Sequence, residues 1–246
     1  MISLEGRSIV VVGGGSGIGR ATATLAVQLG ARVTVLDIDP ATTQLVASLG
    51  GAAQFIECDA CNPEQMGAAM QQVADRYSQL DGFVTTVGGA HLAPLQALDL
   101  AAWEKEIRFN LSSAYVGCRA ALPYLQRNAG ASMVTISSGY AIMAGPDRMG
   151  YSAAKAGVIA FTRSLAAAGA PDGVRANCIA PGPVDTPRFR AMNGGDAGVE
   201  LLRKRMPLGA IPQPSDCAKL TAFLLSDAAS QITGQVIHIN GGLLMP

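Results

Sequence analysis

Charge is scarce in this 246-residue chain, and neither sign is in excess. Charged residues make up 15% of it and apolar residues 49%, a balance that excludes long disordered or polyionic tails and favours a sizeable packed core. With 18 Lys plus Arg against 18 Asp plus Glu, there is no net positive field to gather phosphate backbones or anionic lipid, so neither nucleic acid nor a membrane is an expected partner. Long hydrophobic runs are also missing: none reaches the roughly 18 residues that span a bilayer. The opening Met1-Ile2-Ser3-Leu4-Glu5-Gly6-Arg7 lacks the charged-then-apolar order of a secretory signal, and the expected location is the cytoplasm.

Histidine and paired cysteines are equally sparse. Five cysteines, at 58, 61, 118, 178 and 217, are an odd number scattered along the chain, which argues for reduced thiols over a disulfide framework. Cys58 and Cys61 form a CxxC, but no second pair accompanies it and only His91 and His238 remain as soft ligands. No metal site is expected.

What the sequence does contain is alternation. Short β-branched runs at Ile9–Val12, Arg32–Leu36, Gln54–Glu57, Phe83–Thr86, Met133–Ser137, Arg175–Ile179 and Val236–Ile239 are separated by segments of helical periodicity, such as Ala21, Leu25 and Leu29, or Val158, Phe161 and Leu165. Seven strands alternating with helices predict a single α/β domain over residues 1–246, a doubly wound parallel sheet of the Rossmann type with helices on both faces. One stretch breaks the rhythm. Pro181 to Pro214 carries six prolines and a Gly194-Gly195 pair, with one helical stretch near Val199–Arg205; its central part, about residues 184–212, reads as a lid over a site.

After the first strand comes Val12-Gly13-Gly14-Gly15-Ser16-Gly17-Ile18-Gly19-Arg20. Glycines there permit a tight turn, let the backbone approach a pyrophosphate, and aim a helix N-terminus at its charge. The second strand ends at Asp37, 20 residues beyond Gly17, where a carboxylate can accept from both ribose hydroxyls and would repel a 2′-phosphate. This predicts NAD, with Arg20 and Arg32 as nearby charges that soften the discrimination; Asp37 as a cap of the next helix is the plainer alternative.

Tyr151 and Lys155 stand four apart in a strongly helical segment, hence on one face. An ammonium beside a phenol favours the phenolate and lowers a pKa that is otherwise near ~10, which brings proton exchange with an alcohol within reach. Ser138 ends the fifth strand thirteen residues earlier, at the carboxyl edge where open sheets bind ligands, and its hydroxyl can hold a substrate oxygen. Ser137 is the competing candidate.

Taken together, these motifs resemble the short-chain dehydrogenase/reductase family in its single-domain form. The family's TGxxxGxG turn is similar to Val12–Gly19, its catalytic serine, tyrosine and lysine fall on Ser138, Tyr151 and Lys155, and its helical asparagine on Asn110. Its PGxxxT loop resembles Pro181–Thr186, its acidic residue at the adenine Asp59, and its C-terminal signature Asn240-Gly241-Gly242. The resemblance implies a cofactor wall of Gly13, Gly15, Ser16, Gly17, Ile18, Gly19, Asp37, Asp59, Ala60, Gly88, Tyr151, Lys155, Pro181, Gly182, Val184 and Thr186. It implies that Tyr151 exchanges the substrate proton, Lys155 tunes it and holds a ribose, Ser138 orients the substrate oxygen, and Asn110 positions a water on the proton's way out. It also implies a homotetramer or homodimer. One departure is plain: the family's NNAG appears as Thr85-Thr86-Val87-Gly88, which loses the amides and puts cofactor affinity in question.

The expected activity is interconversion of a secondary alcohol and a ketone of medium size, cyclic or aromatic. Ser138, Tyr140, Met143, Met149, Tyr151, His91 and Met192 are expected around the substrate, joined by Phe189. Arg148, Arg188 and Arg190 are alternative grips for a carboxylate or a carrier phosphate. A 3-oxoacyl thioester reductase is the main alternative activity, and a protein that binds NAD(H) without chemistry the other.

Overall fold

The β-branched runs become strands within two residues of their sequence positions in the computed structural model, which describes residues 2–245: β1 Ser8–Val12, β2 Arg32–Asp37, β3 Ala53–Glu57, β4 Gly82–Thr85, β5 Ser132–Ile136, β6 Arg175–Pro181 and β7 Val236–Ile239. They pair in the order β3-β2-β1-β4-β5-β6-β7, every neighbour parallel. The chain winds outward from β1 to β3, then returns to start β4 on the other side of β1. A crevice opens where the direction reverses, beyond the carboxyl ends of β1 and β4.

Because successive strand residues point to opposite faces, β1 feeds two cores. Ile9 and Val11 pack with Ala23 and Ala26 of α1 (Gly17–Gln28) and with Ala222 and Leu225 of α9 (Pro214–Leu225). Val10 and Val12 pack with Met66 and Met70 of α3 (Pro63–Tyr77) and with Cys118 and Leu125 of α5 (Ser113–Leu125). Between them in sequence lie α2 (Thr42–Ser48) and α4 (Leu100–Ile107), and beyond them α6 (Met149–Gly169), α7 (Pro187–Met192) and α8 (Gly195–Arg203). The sheet is therefore covered on both faces, as the alternation requires.

Two details differ from the sequence expectation. The buried face of α1 is Thr22, Ala23 and Ala26, while Ala21, Leu25 and Leu29 are only half-buried on its flank. Small side chains let α1 lie close against α9, and that packing outweighs the larger leucines' periodicity. The 184–212 segment holds two helices where sequence predicts one. The extra helix, α7, starts with Pro187 after Thr186, whose Oγ1 accepts from the Phe189 amide at 3.1 Å, a start signal in its own right.

Between α4 and α5 the backbone does not break. Residues Arg108–Ser112 form a π-helical turn with Asn110 at its centre, so a single rod runs from Leu100 to Leu125 with a wide turn in the middle.

Candidate active site

The glycine turn is built by contacts that side chains would destroy. A Cβ on Gly19 would lie 2.1 Å from the Gly13 carbonyl oxygen, and Gly13 itself has φ +75°; only glycine tolerates both. Ser16 sits at the N-cap of α1 in extended conformation but makes no side-chain capping bond. The first-turn amides thus face the cleft without an internal acceptor from that side chain, an arrangement suited to a phosphate. Thr86 secures the turn from β4. Its amide donates to the Val12 carbonyl at 2.9 Å, and its Oγ1 donates to the Val12 and Gly13 carbonyls at 2.9 and 3.0 Å. In this chain a hydroxyl therefore ties β4 to the glycine turn at the position where the family's asparagines stand.

A cleft of about 1110 Å³ runs from this turn across the carboxyl edge of the sheet. Gly13, Gly15, Ser16, Gly17, Ile18 and Gly19 line one part, and Gly88, Ser138, Tyr151, Lys155, Pro181, Gly182, Val184 and Thr186 the rest. A second cleft of about 230 Å³ is lined by Asp37, Asp59, Ala60 and both Cys58 and Cys61, and shares Gly13, Ser16 and Gly88 with the first. All the residues expected at a cofactor thus lie on one continuous surface. Asp37 does not cap α2. Its Oδ2 accepts from the Gly15 amide at 2.8 Å and its Oδ1 from the Asp39 amide at 3.1 Å, so the carboxylate holds the glycine turn at the rim of the smaller cleft. Arg32 opens β2 and binds the Gly6 carbonyl at the opposite edge of the sheet, too far to modify Asp37's surroundings; Arg20 does line the larger cleft. The close glycine approach, open helix end and distal carboxylate fit a dinucleotide. Cys58 and Cys61 are unpaired thiols; burial first, then the Asp59 charge, pushes Cys58 up to about 11 and Cys61 upward too, which makes them cleft wall and not reactive thiolates.

At the other end stand the groups expected to do chemistry. Ser138 follows β5, is nearly buried, and its Oγ accepts from the Tyr140 amide at 3.2 Å. Ser137 is otherwise engaged: its Oγ donates to the Lys155 carbonyl at 2.7 Å, fixing α6 to β5. Lys155 is buried among β5 and α6, with Nζ donating to the Ile136 carbonyl at 2.9 Å and lying 5.9 Å from the centre of the Tyr151 ring. Burial pushes its pKa down to about 8.

Here the sequence expectation needs correction. Lys155 should pull the Tyr151 phenol's pKa down, but in the structure the phenol's pKa is raised. Burial is the largest cause, opposed by hydrogen bonding from Ser138 and by the charge of Arg188 and Arg148, and reinforced by Glu106. The lysine is turned to a backbone carbonyl, and the cost of exposing a phenolate to a dry site prevails.

Asn110, fully buried in the π turn, lines neither cleft. Its Oδ1 accepts from the Gly89 amide at 2.8 Å, and its Nδ2 donates to the Gly89 carbonyl, the Glu106 carbonyl and Glu106 Oε2, each at 3.1 Å. The side chain clamps the loop after β4. A Cβ on Gly88 would lie 2.7 Å from Lys155 Nζ and 2.8 Å from Asn110 Oδ1, so that loop is threaded between the two. Glu106 was not marked by sequence reasoning; the only signal was its position four residues before Asn110 on the same helical face.

The expected substrate residues divide. Ser138 and Tyr151 line the larger cleft, but His91, Tyr140, Met143, Met149 and Met192 line neither. His91 is exposed, with its amide bound to Glu106 Oε1 at 3.0 Å, and Tyr140 lies under the Arg148 guanidinium, 4.7 Å from it. Of the three arginines considered as anion grips, Arg148 pairs with Asp147 at 2.5 Å and Arg190 with Asp185 at 2.5 Å and with Asp196. Arg188 has no acidic partner among the described residues; it reaches the Ala90 carbonyl at 3.2 Å and lines both clefts.

Comparison with known proteins bears on this geometry. Residues 12–244 match the family model described as enoyl-(acyl carrier protein) reductase. The chain is 35% identical to cis-4-hydroxycyclohexanecarboxylate dehydrogenase of Sinomonas cyclohexanicum, covering 96% of each. It is 34% identical to 2,5-dichloro-2,5-cyclohexadiene-1,4-diol dehydrogenase of Sphingobium indicum, covering 98% of each. A solved glucose/ribitol-type dehydrogenase from Brucella melitensis superposes with a TM-score of 0.93 at 31% identity, covering 98% of both chains. End-to-end likeness of this kind, on a parallel seven-stranded sheet with the expected serine, tyrosine and lysine gathered at its carboxyl edge, makes this chain an oxidoreductase of the short-chain dehydrogenase/reductase family.

Proposed function

We propose that the chain interconverts a secondary alcohol and a ketone of medium size and cyclic form, with NAD(H) as cofactor. The observation that carries this reading is the continuous cleft that begins at an open helix N-terminus and ends at Ser138, Tyr151 and Lys155. The Asp37 carboxylate at the rim of the adjoining cleft supports NAD over NADP, because a 2′-phosphate there would meet like charge. The two relatives named as dehydrogenases of six-membered-ring alcohols, one a cyclohexane and one a cyclohexadiene, support the cyclic substrate.

The glycine turn and α1 would hold the pyrophosphate, Asp37 the adenosine ribose, and Lys155 and Thr186 the nicotinamide end. A nicotinamide held there would supply or take up the hydride. Everything else falls to the chain's own groups. Ser138 donates to the substrate oxygen and orients it. Tyr151, whose raised pKa keeps it protonated at neutral pH, gives its proton to the oxygen of a ketone as negative charge develops there. Lys155, fixed by the Ile136 carbonyl, is the charge that offsets the phenolate left behind. Asn110 holds the loop that walls this end. The segment 184–212 serves as a lid on one catalytic domain. None of the described helices is long and apolar enough to cross a membrane, and the cytoplasm is the proposed location. Exposed Leu100 and Tyr115 on the α4–α5 rod support a homodimer or homotetramer, which light scattering would decide.

The deciding experiment is cofactor absorbance across ketones, secondary alcohols and 3-oxoacyl thioesters, with NAD(H) and NADP(H) in parallel. Turnover of cyclic ketones with NADH supports the proposal. Turnover confined to thioesters with NADPH overturns it.

A further inference from the structure

We propose that Glu106 is a positioning residue of the catalytic apparatus: its carboxylate locks the Asn110 amide and the Gly88–His91 loop into the arrangement that walls the catalytic cleft. The inference rests on the dehydrogenase reading but concerns a residue that the serine, tyrosine and lysine chemistry does not use.

Glu106 is 7% exposed. A carboxylate so placed is disfavoured unless its oxygens are bonded, and here both are. Oε1 accepts from the His91 amide at 3.0 Å and Oε2 from Asn110 Nδ2 at 3.1 Å. No ion pair compensates it among the described residues, so its charge rests on two N–H groups. The neighbouring backbone is shaped around it: a Cβ on Gly150, at the start of α6, would lie 2.9 Å from Glu106 Cβ.

The bonding pattern specifies an orientation. With Oε2 as an acceptor, the Asn110 NH2 must face Glu106 and the Gly89 carbonyl, and Oδ1 must face the Gly89 amide. Rotating that amide by half a turn would set carbonyl against carboxylate and NH2 against N–H. Gly89 is therefore gripped at both its polar groups and His91 at its amide, while Gly88 lies between Asn110 and the Lys155 ammonium. Both oxygens are full acceptors when Glu106 is ionised; protonation would make one of them an O–H group, a weaker acceptor facing an N–H donor. The titratable groups facing it are Lys105 on its own helix, His91 on the loop, Arg188 on α7, and Tyr151 and Lys155 on α6. Burial raises its pKa, the backbone bond from His91 and the charges of His91, Arg188 and Lys105 opposing. The ionised network accordingly fails on the acid side at a higher pH than an ordinary glutamate would allow.

The test compares wild type with Glu106→Gln and Glu106→Met. Glutamine has the same shape, but either way its amide points, its NH2 meets the His91 N–H or the Asn110 NH2. Expected for Glu106→Gln are a kcat for ketone reduction lowered about 10- to 100-fold, a calorimetric Kd for NADH within about twofold of wild type, and loss of the acid limb of the kcat–pH profile. In the resting proteins, the Gly89 and His91 amides should exchange with deuterium at least about tenfold faster in both variants. An unchanged kcat with the same acid limb, or exchange at those two amides as slow as in wild type, overturns the proposal. A merely structural role would lower the melting temperature and leave the acid limb in place, which also overturns it. The wild-type substrate panel decides the dehydrogenase reading separately, and the exchange measurement needs no substrate.

Discussion

Replacing Thr86 by valine removes one hydroxyl and keeps the shape of the side chain. In the structure that hydroxyl donates to the Val12 and Gly13 carbonyls. Val12 would keep its backbone bond from the Thr86 amide, whereas Gly13 would lose its tie to β4. Leaving one such acceptor unpaired costs about 1–2 kcal/mol. If the turn stays in place, the loss appears as stability: at about 2–4 °C per kcal/mol for a chain of this size, the melting temperature falls by roughly 2–8 °C. If the turn relaxes, the loss appears when NADH must reorder it, as a dissociation constant weaker by about 5- to 30-fold. Calorimetry on wild type, Thr86→Val and Thr86→Ser reads both quantities, and serine, which keeps the hydroxyl, should restore most of the loss. A valine variant that melts within about 1 °C of wild type and binds NADH within about twofold would refute the idea that this hydroxyl secures the turn.

Tyr151→Phe should bind NADH normally and reduce ketone at least about 100-fold more slowly; stopped-flow and titration together separate the two effects. Ketone reduction should decline above about pH 8, where the buried Lys155 loses its proton, and a rate flat to pH 10 would count against a role for its charge. The same group affects stability with opposite sense. Its folded pKa is depressed, so the unfolded chain binds more protons between about 8 and the ordinary lysine value, and stability rises with pH through that window. Asp37→Ser should narrow the preference for NAD by about tenfold or more through improved NADPH binding, visible in the ratio of kcat/KM values; an unchanged ratio would mean that Asp37's bond to Gly15 is its whole purpose.

Much of this site is legible in the sequence because its parts are local. A strand of Ile9 to Val12 followed by glycines, or Tyr151 and Lys155 one helical turn apart, needs no knowledge of the rest of the chain. What was missed depends on partners distant in sequence. The buried face of α1 is set by α9, nearly two hundred residues later. The phenol's raised pKa arises from the walls around it, which the Tyr–Lys spacing does not encode. Tyr140 and Met143 follow Ser138 closely in sequence, yet the short 3-10 turn Gly139–Ala141 carries the chain away from the cleft wall. Glu106 reads as one more polar position on an amphipathic helix until the loop after β4 is folded onto it. Thr186-Pro187, by contrast, was a readable start signal that the surrounding prolines obscured.

The wide turn at Arg108–Ser112 lets the Leu100–Leu125 rod carry one residue more than a plain α-helix of the same reach. A π turn spends about one residue more than an α turn, so everything after it is rotated by roughly 100° relative to an uninterrupted α-helix. The inward face of α5, with Ala114, Gly117, Cys118 and Ala121, stays in phase with the core because the wide turn absorbs that extra residue. Many substitutions between 108 and 112 would leave this phase intact. Deleting a single residue there would let the rod close into plain α-helix with those small side chains still facing the sheet, so the loss would fall on Asn110's hold on Gly89 and not on the packing of α5.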